Sequence, residues 1–169
     1  MLDYIKSFDP LIDNESEVLI LGSIPGVKSL EMNQYYAKST NSFWKILFEL
    51  FDEPFSIDYE KRKTLIKNQK IALWDVLHQY RREGSLDSDI KNEEINDFDW
   101  CFEQFKNIKY VFFNGKKSYD SFAEKYGFLG LSYIEFMRLP STSAAYTIKY
   151  EDKLDSWKVI KQKLDKRVK

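Results

Sequence analysis

Two asparagines and two adjacent tyrosines carry the side chains with which this sequence could do chemistry. Asn41 lies just before an apolar run with helical spacing, and Asn114 follows a short apolar run typical of a strand. Tyr35 and Tyr36 come shortly before Asn41. A side-chain amide can orient a water molecule or present a donor beside an acceptor, and an aromatic ring offers a flat stacking surface. These residue types suit a flat polar ring better than a phosphate or a metal ion.

Each of these residues also has a purely structural explanation. Asn41 is well suited to cap a helix N-terminus, and an Asn-Gly pair such as Asn114-Gly115 is typical of a turn. Adjacent tyrosines are expected to divide between core and surface, so at most one of Tyr35 and Tyr36 faces a given pocket. As a functional group, the Asn114 amide would pair with the carbonyl and ring N–H that uracil and hypoxanthine share, without separating these two bases.

Two loops rich in small residues follow predicted strands. The segment Gly22-Ser23-Ile24-Pro25-Gly26 follows Val18–Leu21, and the hydroxyl-rich loop Leu139–Tyr146 ends the last predicted strand. The first loop is either a simple turn or a place where a ligand approaches the backbone. It lacks the spacing of the common nucleotide-binding motifs, so a nucleotide cofactor has little support. The second is either an ordinary loop or a clamp on nucleic-acid phosphates that also fills the gap left by an extruded base.

The composition argues against several other classes of protein. The 169 residues carry a net charge of -1, so nucleic-acid contact would need a local basic patch. Cys101 is the only cysteine and His78 the only histidine, which rules out an intramolecular disulfide. A zinc site would be short of ligands unless carboxylates supplied them. A Ser-His-Asp triad would have to use His78, which we interpret as a surface or structural residue. The N-terminus lacks an apolar signal core and no apolar run approaches membrane-spanning length, so we expect a cytoplasmic protein. We also expect a monomer.

The candidate residues are positioned by strands that alternate with helices. The predicted strands are Val18–Leu21, Ile71–Leu77, Tyr110–Phe113 and Tyr133–Leu139. The predicted helices are Phe43–Phe51, Asp58–Asn68, Phe98–Phe105, Ser118–Tyr126 and a lysine-rich C-terminal helix, and the polar stretch Arg81–Asn96 is predicted to be a surface insertion. This alternation predicts one domain over residues 1–169, with a parallel sheet whose strand ends bind the ligand. Those ends are Gly22–Gly26, Asp75–His78, Asn114–Lys117 and Pro140–Tyr146.

Two motifs taken together resemble a known family. The stretches GSIPG…SL…QYYAKSTNSFW and LPSTSAAY are similar to the hypoxanthine-DNA glycosylases, also called DNA-deoxyinosine glycosylases, of the uracil-DNA glycosylase superfamily. The resemblance implies an α/β fold, a three-layer α/β/α sandwich with a short, mainly parallel central sheet of about four strands. It also implies excision of deaminated bases (hypoxanthine, uracil or both) from DNA, without metal or cofactor, leaving an abasic site.

The same resemblance implies roles for individual residues. Asn41 would position the attacking water, and Ser23 would be a second catalytic residue near the sugar. The base-binding residues would be Tyr36, which stacks on the flipped base, Asn114, which reads the base edge, Gly22 and Ile24. The DNA strand would be held by Ser141, Thr142, Ser143 and Ala144.

The sequence departs from the family pattern around these residues. Lys38-Ser39-Thr40 stands where the family has His-Pro-Arg, Ala144 replaces the usual proline, and Tyr146 replaces a small or polar residue. These changes leave the reaction class in place and the preferred base open.

Three alternatives remain open. Lys28 or Lys38 could act as a nucleophile that also cuts the strand, although we interpret both as surface residues. The chain could instead be a non-catalytic nucleic-acid-binding module that uses its basic C-terminal helix. It could also be a small-molecule enzyme of the same fold class, which would bind DNA without salt dependence or not at all.

Overall fold

The computed structural model describes residues 4–82 and 90–166, which form two β-sheets and six helices. In chain order the elements are β1 (Ile5–Lys6), β2 (Val18–Gly22), α1 (Val27–Met32), α2 (Phe43–Leu50), α3 (Tyr59–Asn68), β3 (Ile71–Asp75), β4 (Leu77–Arg82), β5 (Ile90–Ile95), α4 (Phe98–Gln104), β6 (Tyr110–Asn114), α5 (Lys116–Lys125), β7 (Glu135–Leu139) and α6 (Tyr150–Asp165). The main sheet has the order β3-β2-β6-β7, and all its strands are parallel.

Helices cover both faces of the main sheet. Every residue of β2 and of the edge strand β3 is buried, as expected for parallel strands with apolar layers on both faces of the sheet. One core cluster joins the sheet to α2, α3 and α6, and a second joins its other face to α4 and α5. The predicted α/β/α sandwich with a four-stranded parallel sheet is therefore confirmed.

The helices begin and end close to the predicted bounds because their caps are encoded locally. The Asp58 side chain accepts a hydrogen bond from the Glu60 backbone N–H at the start of α3. The Asp97 side chain accepts one from the Trp100 backbone N–H at the start of α4. In α2, the apolar residues at helical spacing are buried against the sheet. Because α2 begins two residues after Asn41, its packing holds Asn41 at the carboxyl edge of the sheet.

Two sequence predictions about strands were wrong. The run Ile71–Leu77 is not one strand, since β3 ends at Asp75 and β4 turns away to join a second sheet of order β1-β4-β5. The stretch Arg81–Asn96 is not a simple surface insertion, because its described parts pair as the antiparallel strands β4 and β5. Only a few buried anchors such as Tyr80 and Ile90 mark these strands, and their polar outer positions hid the pattern.

Two smaller points complete the comparison with the sequence. The last predicted strand begins at Glu135 instead of Tyr133. Across residues 4–82 and 90–166, no helix has the length and apolar character needed to cross a membrane.

Candidate active site at the carboxyl edge of the sheet

The carboxyl ends of the four parallel strands form a row in register. Gly22 pairs with Asp75, and Asn114 pairs with Leu139. Because β2 and β6 are also in register, Asn114 lies beside Gly22. The residues two positions earlier in each strand pack against the cluster beneath α2 and α6, so all four strand-end residues face that layer.

Gly22 has no side chain because two polar groups occupy the space where one would lie. A Cβ atom there would be 2.6 Å from Asp75 Oδ1 and 2.9 Å from the Tyr36 hydroxyl oxygen. Gly22 therefore serves close approach at a strand end, and the turn explanation considered for it does not account for this crowding.

The adjacent tyrosines differ in burial, since Tyr35 is buried and Tyr36 is only partly buried. Tyr35 is buried; its hydroxyl donates to the Asp9 carbonyl, and its own carbonyl accepts from the Trp44 indole. Tyr36 has a φ of 52°, an uncommon conformation for a residue with a side chain. Its ring stacks on Phe43 at 3.9 Å between centroids, which leaves its hydroxyl above Gly22. Tyr36 is thus the tyrosine available to the site.

Asp75 is a site residue to which sequence reasoning gave no role. Its side chain is buried, and its Oδ2 atom has no hydrogen-bond partner among the described residues. Burial raises the pKa of the Asp75 carboxyl to about 7. The sequence signal was present, since Asp75 directly follows four apolar residues at one of the four expected strand ends.

Asn41 makes a structural contact at the start of α2. Its Oδ1 accepts a hydrogen bond from the Phe43 backbone N–H at 3.0 Å, which satisfies the first turn of α2. Ser42, not Asn41, occupies the N-cap position and makes no capping bond of its own. The contact with Phe43 fixes the orientation of the Asn41 amide, and its role in holding a water stays a prediction.

Thr142 ties the two motifs together. Its carbonyl oxygen accepts from the Ser42 backbone N–H at 3.0 Å and from the Ser42 hydroxyl at 3.1 Å. Its backbone N–H donates to Asn114 Oδ1, and its hydroxyl accepts from Asn114 Nδ2, both at 2.9 Å. Thr142 is only 1% exposed. Its side chain therefore holds the second loop to the sheet, and its carbonyl oxygen holds that loop to Ser42 at the start of α2. Its contact with DNA stays a prediction.

These contacts also engage both ends of the Asn114 amide. The amide lies close enough to lower the pKa of the Tyr36 hydroxyl, which burial and Asp75 raise. Even so, the Tyr36 hydroxyl has no hydrogen-bond partner of acceptable geometry among the described residues. The bonds to Thr142 use one N–H and one lone pair of the Asn114 amide. Base reading by Asn114 would therefore use its second N–H and the second lone pair of Oδ1.

The site so described agrees with a match to a known family. A profile of the Uracil DNA glycosylase superfamily matches residues 10–165. The chain belongs to the uracil DNA glycosylase superfamily. The resemblance found in the two sequence motifs is therefore confirmed.

Individual members of the superfamily are similar over much of the chain. A protein of Methanosarcina barkeri named "Hypoxanthine DNA glycosylase" is 46% identical over 114 residues, which cover 67% of this chain and 72% of the relative. A protein of the same name from Methanosarcina acetivorans is 34% identical over 158 residues, covering 92% and 96%. The solution NMR structure of a protein assigned as a uracil DNA glycosylase, also from Methanosarcina acetivorans, has a TM-score of 0.80 and 32% identity, covering 96% of this chain and 99% of that one.

The remaining residues of the first motif lie at the edge of the site. Ser23 is partly buried, and its carbonyl oxygen accepts from the Leu77 backbone N–H. The Ile24 side chain packs against the cluster on the opposite face of the sheet. A contact between Ile24 and a base would therefore fall to its backbone, and both predicted roles stay predictions.

The second motif presents its outer part to solvent. Ser141 Oγ accepts from the Ser143 backbone N–H, and Ser143 Oγ accepts from that of Ala145, so the hydroxyls order the loop. Ala144 and Tyr146 are exposed. These residues are placed where a DNA strand could reach them, and contact with it stays a prediction.

One lysine of the C-terminal helix α6 is buried instead of solvated. Lys153 is only 5% exposed, and its Nζ donates to the Ser143 carbonyl at 2.9 Å. Its Nζ also lies 5.7 Å from the centroid of the Tyr146 ring. Burial lowers the pKa of Lys153. Lys158, Lys161 and Lys163 form ion pairs at the surface, as expected, whereas Arg167 and Lys169 lie outside the described residues.

The other residues considered for chemistry are two exposed lysines, an exposed histidine and a buried cysteine. Lys28 and Lys38 are exposed, and Lys28 pairs with Glu31. His78 is exposed on β4. Cys101 is buried, which raises the pKa of its thiol to about 12. Over residues 4–82 and 90–166, no three histidine, cysteine, aspartate or glutamate side chains are grouped to hold a metal ion.

Proposed function

We propose that this protein is a monofunctional DNA glycosylase that flips a deaminated base, hypoxanthine or uracil, out of DNA and hydrolyses its N-glycosidic bond. The observation that carries the proposal is the bond between Ser42 and Thr142, 100 residues apart, which joins the two motif loops into one site beside Asn41. The names of the two similar archaeal proteins support hypoxanthine as a substrate.

The proposed reaction needs an accessible base and a positioned water. A base cannot be reached inside the duplex, so it must leave the stack and enter the site. Tyr36 would stack against it, and Gly22 would let it approach the sheet edge. As the glycosidic bond breaks, positive charge grows on the sugar and negative charge on the base. Hydrogen-bond donors aimed at the base would stabilise that negative charge.

Asn41 would direct the attacking water to the sugar carbon. An amide is a poor base, yet an oxocarbenium-like carbon is a strong electrophile, so orientation supplies much of the catalysis. The bond from Asn41 to the Phe43 backbone fixes the amide for this purpose. Ser23 would lie near the sugar, and Ser141, Ser143, Ala144 and the Thr142 backbone would hold the strand.

The direct test is a set of duplexes that carry deoxyinosine, deoxyuridine or deoxyxanthosine. The wild-type protein should convert at least one of them to an abasic site that alkali cleaves. Salt-dependent binding without an abasic product would favour the non-catalytic alternative, and no DNA binding would favour a small-molecule enzyme.

Asn41→Ala should lower the single-turnover rate by about 100-fold or more, while the dissociation constant for DNA changes little. The matched control is Asn68→Ala, because Asn68 is an exposed asparagine on α3, away from the strand ends. Unchanged turnover in Asn41→Ala would remove Asn41 from its proposed role.

We also propose that residues 1–169 act as one domain, as a monomer, in the cytoplasm. The lone buried Cys101 supports a reducing compartment. Size-exclusion chromatography with light scattering would test the monomer, and fractionation of cells would test the location.

A further inference from the structure

We propose that Asp75 contacts the flipped base as a neutral carboxylic acid, donating its O–H to a base carbonyl and accepting from the neighbouring ring N–H. The proposal rests on the proposed glycosylase function and adds a specificity-determining residue to that site.

The position of Asp75 is the first argument. It ends β3 directly beside Gly22, and its Oδ1 would be 2.6 Å from a Cβ at that glycine. The Tyr36 hydroxyl borders the same space at 2.9 Å. Because Gly22 has no Cβ, the Asp75 carboxyl and the Tyr36 hydroxyl can both lie against this strand end, beside the ring on which the base would stack.

The unmet hydrogen bond of Asp75 is the second argument. Its side chain is 3% exposed, and Oδ2 has no partner among the described residues. A buried polar atom without a partner is costly, so native proteins retain one mainly where a ligand or water completes it. The neighbouring Asn114 differs from Asp75 Oδ2, because its Oδ1 and one of its N–H groups are already bonded to Thr142.

The proton on Asp75 decides which bases fit. A carboxylic acid presents one donor and one acceptor, which match the carbonyl and ring N–H of hypoxanthine or uracil. An ionised carboxylate presents acceptors only, and its charge would oppose both the base carbonyl and the negative charge that grows on the leaving base. The neutral form therefore binds and promotes departure, whereas the ionised form resists both.

The surroundings of Asp75 favour the neutral form. Asp75 raises the pKa of three tyrosine hydroxyls among the described residues: Tyr35 and Tyr36 from the loop before α2, and Tyr80 from β4. The pKa of each hydroxyl is raised, so all three are neutral at physiological pH. Burial is the cause of the raised pKa of Asp75, and the Asn114 amide on β6 carries no charge.

The step balances without any further reagent. The C1′–N bond breaks and its electron pair stays with the base, delocalised toward the carbonyl oxygen that Asp75 contacts. The oxygen of the water held by Asn41 bonds to C1′, and the water releases one proton to solvent. If the base leaves with the Asp75 proton, solvent restores that proton.

The test is the pH dependence of the single-turnover rate on a deoxyinosine duplex between pH 6 and 8.5. The wild-type rate should fall toward tenfold per pH unit above a midpoint near pH 7, because the ionised form is inactive. Asp75→Asn keeps a donor and an acceptor but does not titrate, so its profile should be flat and its rate at pH 8.5 should exceed that of the wild type. The single-turnover rate of Asp75→Ala should be about 100-fold lower than that of the wild type at pH 6.

Controls separate this proposal from the proposed function. Asp155→Asn changes an exposed aspartate on α6 and should keep the wild-type profile. Every variant meets the same ionisation of the substrate, so a difference between profiles belongs to Asp75. If the wild type forms no abasic site at any pH, the glycosylase function fails. If the wild type is active but its profile is flat, or matches that of Asp75→Asn, only the role of Asp75 is overturned, and the wild-type profile decides this even if a variant does not fold.

Discussion

The two edges of the main sheet differ in what they bury. At the amino edge, an open groove of about 740 Å³ is lined by residues such as Lys109, Ser132 and Tyr133, which are exposed. At the carboxyl edge, Asp75 and Thr142 are almost completely buried, and polar groups are bonded across distant segments. The groove at the amino edge thus lies where the polar groups already face water. Buried polar groups, and not the size of the groove, indicate the candidate site of this protein.

The largest expected effect concerns the stability that Asp75 costs the fold. Its pKa is raised from 3.8 to about 7, so the folded state holds its proton while the unfolded state releases it. Between these values, the free energy of unfolding falls as pH rises, by up to about 4 kcal/mol in total, and the loss is complete above pH 7. Asp75→Asn removes this dependence. In urea denaturation, the free energy of unfolding of Asp75→Asn relative to the wild type should be higher at pH 8 than at pH 5.

An equal effect of Asp75→Asn at both pH values would contradict the burial argument. It would place the carboxyl in water and make the two edges of the sheet alike. Asp155→Asn is the matched control, because its exposed carboxyl should contribute no such change.

Crowding at Gly22 gives the second effect. In Gly22→Ala the new Cβ would collide with Asp75 and Tyr36, so we expect a loss of about 1–3 kcal/mol in unfolding free energy and about a 100-fold slower turnover. Gly26→Ala is the matched control, since no atom lies within 4 Å of a Cβ at that position. It should cost less than about 1 kcal/mol. Thermal unfolding with the abasic-site assay measures both, and equal behaviour of the two variants would show that the site tolerates a side chain at Gly22.

The amino edge should give the smallest effect. Glu135→Gln removes an ion pair with Lys163, in which the Glu135 side chain is 48% exposed. Exposed pairs of this kind contribute about 0.2–1 kcal/mol, because water screens the charges. The rate of base excision should not change. A large loss of excision would mean that the groove at this edge takes part in function, which would reverse the comparison.

Sequence reasoning was most successful where a signal is local. The buried strand β2 and the helix α2 follow from apolar spacing, and the caps at Asp58 and Asp97 determine where α3 and α4 begin. The different burial of Tyr35 and Tyr36 was also expected from their adjacency. These features depend on neighbours in sequence and need no knowledge of the fold.

Features that depend on register were not predictable in the same way. The importance of Asp75 comes from its pairing with Gly22 on another strand, and the engagement of Asn114 comes from Thr142 on a distant loop. Lys153 reads as one more exposed lysine until the second motif loop folds over it. In each case the sequence supplied the residue, and tertiary packing decided its neighbours.

The bonds of Thr142 have a consequence for the order of events during synthesis. They reach back 28 residues to Asn114 and 100 residues to Ser42, so no shorter stretch of chain can close this connection. A nascent chain that has emerged only as far as β6 already contains Gly22, Asn41 and Asp75 but cannot hold them with Thr142. The connection can therefore form only after Thr142 has been synthesised, and the entropy cost of closing both loops must be offset by other contacts of the folded chain.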